Sequence, residues 1–479
     1  MRPRLLTAIL CLALAGCQTL RPPPAVPSPE PAPRRLPATG GDETRAAAAG
    51  QAIPPAANQS SIQLAQHVEP MPAPPPEPLP QAALRPVALG RLTLADLEQM
   101  ALAANPSVGR AAALVQAARG NWIQAGLPPN PVVGYEGQQI GSAGRAEQDG
   151  VFVEQEFVRG GKLRLSRQVA AQEWARLEQE LAAQQQRVIT DVRIAFYQVL
   201  IAERQVELST RLRDIAAEAS NVAEALLKGL EVGRVDLVQS QLELGNAEIL
   251  AQNARNRFSA AWRTLATVLG NPDLPPQPLD GNIEDGGPEL IWETSRERLL
   301  TSSPEIAAAM AEIQRARWAL ERANVEQVPN VTVAGLVNWR DNGIDGDSDG
   351  GITVGLPLPL WNRNQGGIVQ AQGQVAAAER ALDQLELSLE NRLVPVFERY
   401  SNALHQANKY RGQLLPAARQ ALDLVRRLYQ AGETPYLNLL TAQRSFSQTN
   451  VNYLESLREL RAAETEIDGL LLSGSLESR

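Results

Sequence analysis

The side chains with chemical potential are few, and their spacing excludes most chemistry. Asp345, Asp347, Asp349 and Gly350 imitate the opening of a calcium-binding EF-hand loop. That loop needs an acid at its twelfth position, which here is Leu356, so a solvated loop is the better reading. Gly160-Gly161-Lys162 is not a phosphate-binding loop. The glycine required five positions before Gly161 is Glu156, and no Ser or Thr follows Lys162. His67 and His405 are far apart, and Met71, Met100 and Met310 are scattered, so neither type forms a ligand cluster. No nucleophile–base pair emerges. The expectation is a chain with no catalytic residue, no metal site and no cofactor.

One reactive group remains, Cys17. Arg2 and Arg4 form a charged start, Leu5 to Ala15 a short apolar run, and Leu14-Ala15-Gly16-Cys17 resembles the lipobox of bacterial lipoproteins. That resemblance implies cleavage of residues 1–16 as a signal peptide and acylation (palmitate among the chains) of Cys17. Gln18, where Asp would favour inner-membrane retention, points to the outer membrane. Cys11 is the other cysteine of the chain, so the mature body has neither disulfide nor thiolate site. A single lipid-bearing residue anchors a protein; it does not span a bilayer. No stretch offers the ~20 apolar residues of a transmembrane helix.

Residues 17–90 are rich in Pro and Ala, with runs such as Arg21-Pro22-Pro23-Pro24 and Pro74-Pro75-Pro76. Such a segment reads as an extended tether. The net charge of −8 and the lack of a basic stripe exclude nucleic acid as a partner. Aromatics make up 4% of the chain, which suits long helices packed on Ala and Leu better than a compact enzyme.

Beyond Leu92 the chain repeats itself once, at a spacing of about 200 residues. Asn105-Pro106 returns as Ser303-Pro304, Pro129-Asn130 as Pro329-Asn330, Gly160-Gly161 as Gly366-Gly367 and Gln241 as Gln443. Each half, 91–285 and 286–479, reads helix, strand, loop, strand, very long helix, turn, helix. Val375, Leu382, Leu389, Val396, Ala403, Tyr410, Ala417 and Leu424 recur every seventh residue. Leu439, Phe446, Tyr453, Leu460 and Ile467 do the same, and so do Leu237, Leu244, Ala251, Phe258 and Leu265, each shadowed by a second line of mostly small residues. That period belongs to coiled-coil packing. From Leu163 to Leu226, at ~1.5 Å per residue, a helix reaches about 90 Å. Pro395 and Pro416 should bend the second long helix. Val331 to Arg340, Ile352 to Leu360, and the segments around Val133–Tyr135 and Val151–Val153 alternate in polarity like strands of a membrane barrel. Four strands cannot close a barrel, and lipid forbids an open edge, so copies of the chain must complete it.

Helices of this length, two strand pairs and a duplication together resemble the TolC-like outer-membrane efflux proteins, over about residues 91–472. Gln155-Glu156-Phe157 leading to Gly160-Gly161-Lys162 looks like the family's exit from the first strand pair. The run Pro357-Leu358-Pro359-Leu360-Trp361-Asn362-Arg363-Asn364-Gln365-Gly366-Gly367 is similar to its counterpart in the heavy-metal branch. Leu415-Pro416-Ala417-Ala418 and Tyr429-Gln430-Ala431-Gly432 look like the approach to the periplasmic helix tip. The resemblance implies a mixed α and β, mostly α fold, in which a homotrimer builds a twelve-stranded transmembrane β-barrel continued by a long periplasmic α-helical barrel. It implies an outer-membrane exit duct for small molecules or metal ions, driven by an inner-membrane pump of the RND type through a periplasmic adaptor. It also implies a gate at the turns. Gly229 and Gly432 lie where the long helices reverse, both expected in the left-handed conformation; Gly233 is a possible counterpart of Gly432. Tyr429 matches a gating tyrosine and Asp236 its acidic partner, its carboxylate accepting from the hydroxyl. Asn438 and Thr441 stand where well-known members carry acids, and Thr434 where they carry a base. The competing class is a lipid-anchored periplasmic adaptor, which needs one hairpin and compact β domains rather than two hairpins and barrel-type strands. A bare coiled-coil spacer leaves the strands unexplained.

Cys17→Ser is expected to abolish acylation. Mass spectrometry of the mature N-terminal peptide checks it, and an unmodified wild-type peptide starting elsewhere overturns the assignment.

Overall fold

The computed structural model describes residues 91–138, 148–229, 232–340 and 348–477. The leader, the tether with Cys17, and His67, Met71, Asp345 and Asp347 lie outside the described residues.

Each half opens on capped helices. β1 (Leu92–Thr93) leads into α1 (Leu94–Ala104), where Thr93 and Asp96 cap one another. α2 (Pro106–Ala125) starts at a proline, whose missing N–H costs nothing in the first turn. Its cap, Asn105, accepts from Ser107 N–H and donates to the Val268 carbonyl, both at 2.9 Å. β2 (Val132–Gln138), β3 (Gln148–Phe157), α3 (Lys162–Lys228), α4 (Arg234–Val268) and β4 (Leu279–Asp280) complete this half, β4 pairing parallel with β1. The second half repeats the scheme. α5 (Trp292–Ser302) precedes α6 (Pro304–Asn324), again with Pro in the first turn and Ser303 as cap. Then come β5 (Val331–Arg340), β6 (Asp349–Gly355), α7 (Gln365–Lys409), a π turn (Tyr410–Leu414), α8 (Leu415–Gln430) and α9 (Tyr436–Asp468). α3 alone has 67 residues, about 100 Å at ~1.5 Å per residue.

The core gathers where the helices of the two halves meet. Leu97, Val192, Leu265, Leu299, Leu389 and Leu393 are all at most 2% exposed. The connector between the halves is tied down by buried Arg461, whose Nε donates to the Ile283 carbonyl at 2.9 Å while its guanidinium pairs with Glu464 at 2.5 Å. The Tyr453 hydroxyl donates to Glu284 at 3.2 Å, and Tyr400 accepts from the Leu290 N–H at 2.9 Å.

The four long strands form one antiparallel sheet in the order β2-β3-β5-β6, leaving β2 and β6 as free edges. Cross-strand partners sort the side chains by face. Val133 pairs with Val153, Tyr135 with Val151, Val151 with Val337, and Val333 with Val354. This face is apolar and open: Tyr135, Val153, Val337 and Val354 are 62%, 50%, 57% and 64% exposed. The opposite face carries Glu136, Glu154, Glu156, Thr332 and Asn338 around Phe152, whose ring covers Gly134 closely enough that a Cβ there would lie 2.5 Å from it. The alternation expected of a barrel wall is therefore present. One expectation fails: β6 stops at Gly355 instead of running to Leu360, since Pro357 and Pro359 have no N–H for a ladder. Asp349 is a residue of β6 whose carboxylate accepts from Asn338 at 2.8 Å, which is not an EF-hand arrangement.

The seams of α4 and α9 fall as the period predicts: Ala247, Ala251, Ala254 and Leu265 are buried, and so are Tyr453, Ser456, Leu460, Ala463 and Ile467. The long stripe of α7 does not continue unbroken. Leu389, Leu393, Val396, Tyr400, Ala403 and Ala407 are buried at alternating steps of four and three, yet Ala417 and Leu424, the next members of the line, are exposed. Leu415, Ala418, Leu422, Val425 and Tyr429 turn inward in their place, each one residue later than the frame requires. The π turn absorbs that residue, with the Leu415 N–H donating to the Tyr410 carbonyl. Pro416 explains it. Proline has no N–H for the Gly412 carbonyl and its ring collides with that group in an α-helix, so the helix widens just ahead of it. Pro395, by contrast, sits inside α7 without ending it.

Removing Gly412 together with Pro416→Ala makes this stretch one α-helix and leaves Leu415, Leu422, Val425 and Tyr429 in the seam. By circular dichroism that variant is expected to melt near the wild-type temperature. One Ala inserted after Gln413 rotates the four by about 100°; each buried side chain stabilises by about 1.5–3 kcal/mol, so this variant should melt well below it.

Candidate functional site: the helix-turn mouth

Both long helices reverse at the same end of the bundle, and the residues there come from α3, α4, α8 and α9. α8 closes in a Schellman motif. The Gly432 N–H donates to the Tyr429 carbonyl at 3.0 Å and the Glu433 N–H to Leu428 at 2.9 Å, with Gly432 at φ +73°. This conformation suits a residue without Cβ. The first half differs. Gly229 has φ −78°, an ordinary right-handed value, and Gly233, extended, precedes α4. The expected left-handed role of Gly229 is thus not taken, because Gly229 is the right-handed cap residue of α3, the place that Ala431 holds after α8, one position short of that of Gly432.

Tyr429 points into the bundle, not across the mouth. It is 2% exposed and packs with Ala219, Leu422, Leu439 and Leu440, its ring 5.6 Å from that of Tyr436. Among the described residues neither tyrosine hydroxyl has a hydrogen-bond partner. The expected Tyr429–Asp236 hydrogen bond is therefore absent, because the frame slip at the π turn carries Tyr429 into the seam. Asp236, in the first turn of α4, still acts through its charge. Burial raises the Tyr429 hydroxyl pKa and the Asp236 carboxylate adds to the rise. Burial, followed by the Glu243 charge, pushes Tyr436 up to about 12. Asn438 donates to Thr434 at 2.8 Å and Thr441 to its own helix carbonyl of Leu437 at 2.8 Å. Both bond locally, and neither supplies a charge to the mouth.

The polar contacts that join one hairpin to the other were not foreseen. Arg426 of α8 pairs with Glu218 of α3, and its guanidinium holds that carboxyl below the usual range. Arg444 of α9 pairs with Glu243 of α4 at 2.9 Å. The signal was present in the sequence, since all four charges sit beside seam positions, where coiled coils place interhelical pairs. Elsewhere Lys162 of the Gly-Gly-Lys motif is buried at the start of α3, its ammonium 3.4 Å from Glu326. Among the described residues no group of His, Cys, Asp or Glu is placed to hold a metal ion, and no helix is long and apolar enough to cross a membrane.

An amphipathic four-stranded sheet with open edges, carried on helices of this length that end in a clasped mouth, is the architecture of a duct. A family model described as outer membrane efflux protein matches residues 97–271 and 296–471, one match in each half. The chain belongs to the outer membrane efflux protein family, a family of channel proteins, and serves as an exit duct in the outer membrane. The cobalt-zinc-cadmium resistance protein CzcC of Cupriavidus metallidurans is 29% identical over 389 residues, spanning 80% of this chain and 91% of that protein. Among solved structures, CusC superposes with a TM-score of 0.67 at 17% identity, over 85% of this chain and 99% of that one. The MtrE outer membrane channel of Neisseria gonorrhoeae, solved in its open state, gives 0.66 at 19% identity, over 80% and 89%.

Tyr429→Phe removes a buried hydroxyl that no described group satisfies, and is expected to leave the melting temperature unchanged or raise it. Tyr429→Ala empties the site and should cost about 3–5 kcal/mol. Thermal unfolding of the two variants side by side checks both.

Proposed function

We propose that three copies of the chain close a twelve-stranded barrel and a twelve-helix tunnel, anchored additionally through lipid on Cys17. A periplasmic adaptor and an inner-membrane pump of the RND type complete the path. The observation that carries this reading is the sheet: one face exposed and apolar, and both edge strands unpaired. Lipid cannot satisfy the backbone of an open edge, so the edges must meet between copies. The chain supplies no energy; the pump does. Divalent metal cations are the cargo to test first, on the likeness to a cobalt-zinc-cadmium resistance protein across most of both chains. They would be passed along, not held.

The gate belongs at the turns near Gly229 and Gly432. Heptad seams bind the helices within each hairpin, and near the mouth the hairpins are joined by Glu218–Arg426 and Glu243–Arg444 beside the small cluster around Ala219 and Tyr429. Opening one hairpin away from the other breaks both pairs. Exposed pairs of this kind contribute only about 0.2–1 kcal/mol each, which suits a latch that a partner must release. Asp236, Asn438 and Thr441 line the approach without a fixed charge pair of their own.

Native mass spectrometry of detergent-extracted outer membrane should show a trimer, and a deletion strain should accumulate cobalt, zinc or cadmium in preference to organic compounds. An active monomer sinks the assembly; accumulation of organic compounds alone sinks the metal cargo. Arg426→Ala with Arg444→Ala should raise single-channel conductance in planar bilayers at unchanged trimer yield, and wild-type conductance would place the closure elsewhere.

A further inference from the structure

The two free edges of the sheet carry enough information to state how they meet. We infer that β6 of one copy pairs with β2 of the next in one register: Val354 opposite the partner subunit's Tyr135, Ile352 opposite the partner subunit's Gly137 and Leu356 opposite the partner subunit's Val133. The inference rests on the three-copy reading above and goes beyond it by naming the seam residue by residue.

The duplication provides the argument. Within the first half Val133 pairs with Val153, and within the second Val333 pairs with Val354. Asn130 and Asn330 hold the same place ahead of β2 and β5, so Val133 corresponds to Val333, Tyr135 to Gly335, and Val153 to Val354. The junction between halves inside the chain is already formed: β3 pairs with β5, and Val153 faces Gly335. A ring of such halves repeats that junction between copies. Replacing Val153 by its equivalent Val354, and Gly335 by its equivalent Tyr135, gives the seam directly.

Three observations agree with this register. It keeps Ile352, Val354 and Leu356 on the same face as Val133 and Tyr135, so the apolar band continues around the ring; a slip of one residue would turn every apolar side chain inward. It also ends the ladder on both strands together, at Pro131 ahead of β2 and Pro357 beyond β6, neither of which has an N–H to give. A slip that sets Val354 opposite the partner subunit's Gly137 would instead drag Pro357 into the seam. Finally, the same operation carries the packing of α3 on α6, marked by Arg187–Glu305 at 2.9 Å, onto α7 and the α2 of the next copy. Those two helices carry matching exposed apolar residues, Leu114 and Ile123 on α2 at 46% and 51%, Val369 and Leu387 on α7 at 67% and 69%.

Cysteine pairs test the seam in the full-length protein, since Cys11 and Cys17 are the native cysteines and both precede the body. Directly opposite residues in an antiparallel ladder have Cα atoms about 4.5–5.5 Å apart, within the reach of a disulfide. Diagonal neighbours at about 7–8 Å are not. Under mild oxidation in isolated outer membranes, Tyr135→Cys with Val354→Cys is expected to give a reducible ladder ending at a covalent trimer on denaturing gels. Tyr135→Cys with Ile352→Cys, and Val133→Cys with Val354→Cys, should stay largely monomeric. A ladder from either of those pairs in its place overturns the register. No ladder from any pair, with a trimer in native mass spectrometry, overturns the β6–β2 seam and leaves the assembly standing. A wild-type monomer removes the assembly itself.

Discussion

Hydrocarbon offers a backbone N–H nothing to donate to. That single constraint governs the outer-membrane end of this protein. Each unsatisfied group costs several kcal/mol in lipid, and the sheet presents two strands, β2 and β6, with one side unpaired. The prolines flanking those edges have the same origin. Pro131 and Pro357 sit where pairing must stop, so the strands present complementary ladders of limited length instead of open templates for aggregation.

Away from the membrane a different balance holds. The helices bury Ala, Ser and Leu in seams, with Ser240 and Leu265 fully enclosed. Small residues allow close approach, and the sum of many modest contacts supports the 67-residue span of α3. Beside the seams, Arg426 and Arg444 reach across to the other hairpin. Near the mouth the two hairpins meet through both kinds of contact, the apolar cluster of Ala219 with Leu422, Tyr429 and Leu439 and the ion pairs beside it.

Much of this was legible in the sequence because it is local and periodic. Asn105-Pro106 and Ser303-Pro304 announce helix starts by cap chemistry alone, and the seams of α4 and α9 follow from seven-residue spacing. Val133, Val153, Val333 and Val354 mark one face by parity. What escaped was set by long-range fit. The stripe through Tyr410, Ala417 and Leu424 is a valid heptad on paper, and only the packing of α8 against α9 decides that Leu422 and Tyr429 are buried instead. That one-residue slip also misplaced the tyrosine of the site, turning an expected donor at the mouth into a core ring. Gly229 looks like Gly432, yet it stands one position earlier, where Ala431 caps α8, and of the two glycines Gly432 is the one with a positive φ. The cross-hairpin ion pairs required knowing which helix faces which.

The π turn has a mechanical meaning. α3 runs without interruption from the sheet to the mouth, whereas its counterpart is divided at Tyr410–Leu414 into α7 and α8. A continuous helix is a strut; one with a widened turn and a missing N–H at Pro416 is a lever with a joint. The two halves descend from one pattern but are unequal in stiffness. The two hairpins therefore reach the mouth on unlike supports, one on an unbroken α3 and the other on a chain that steps at Tyr410–Leu414 while α9 runs past it as one helix.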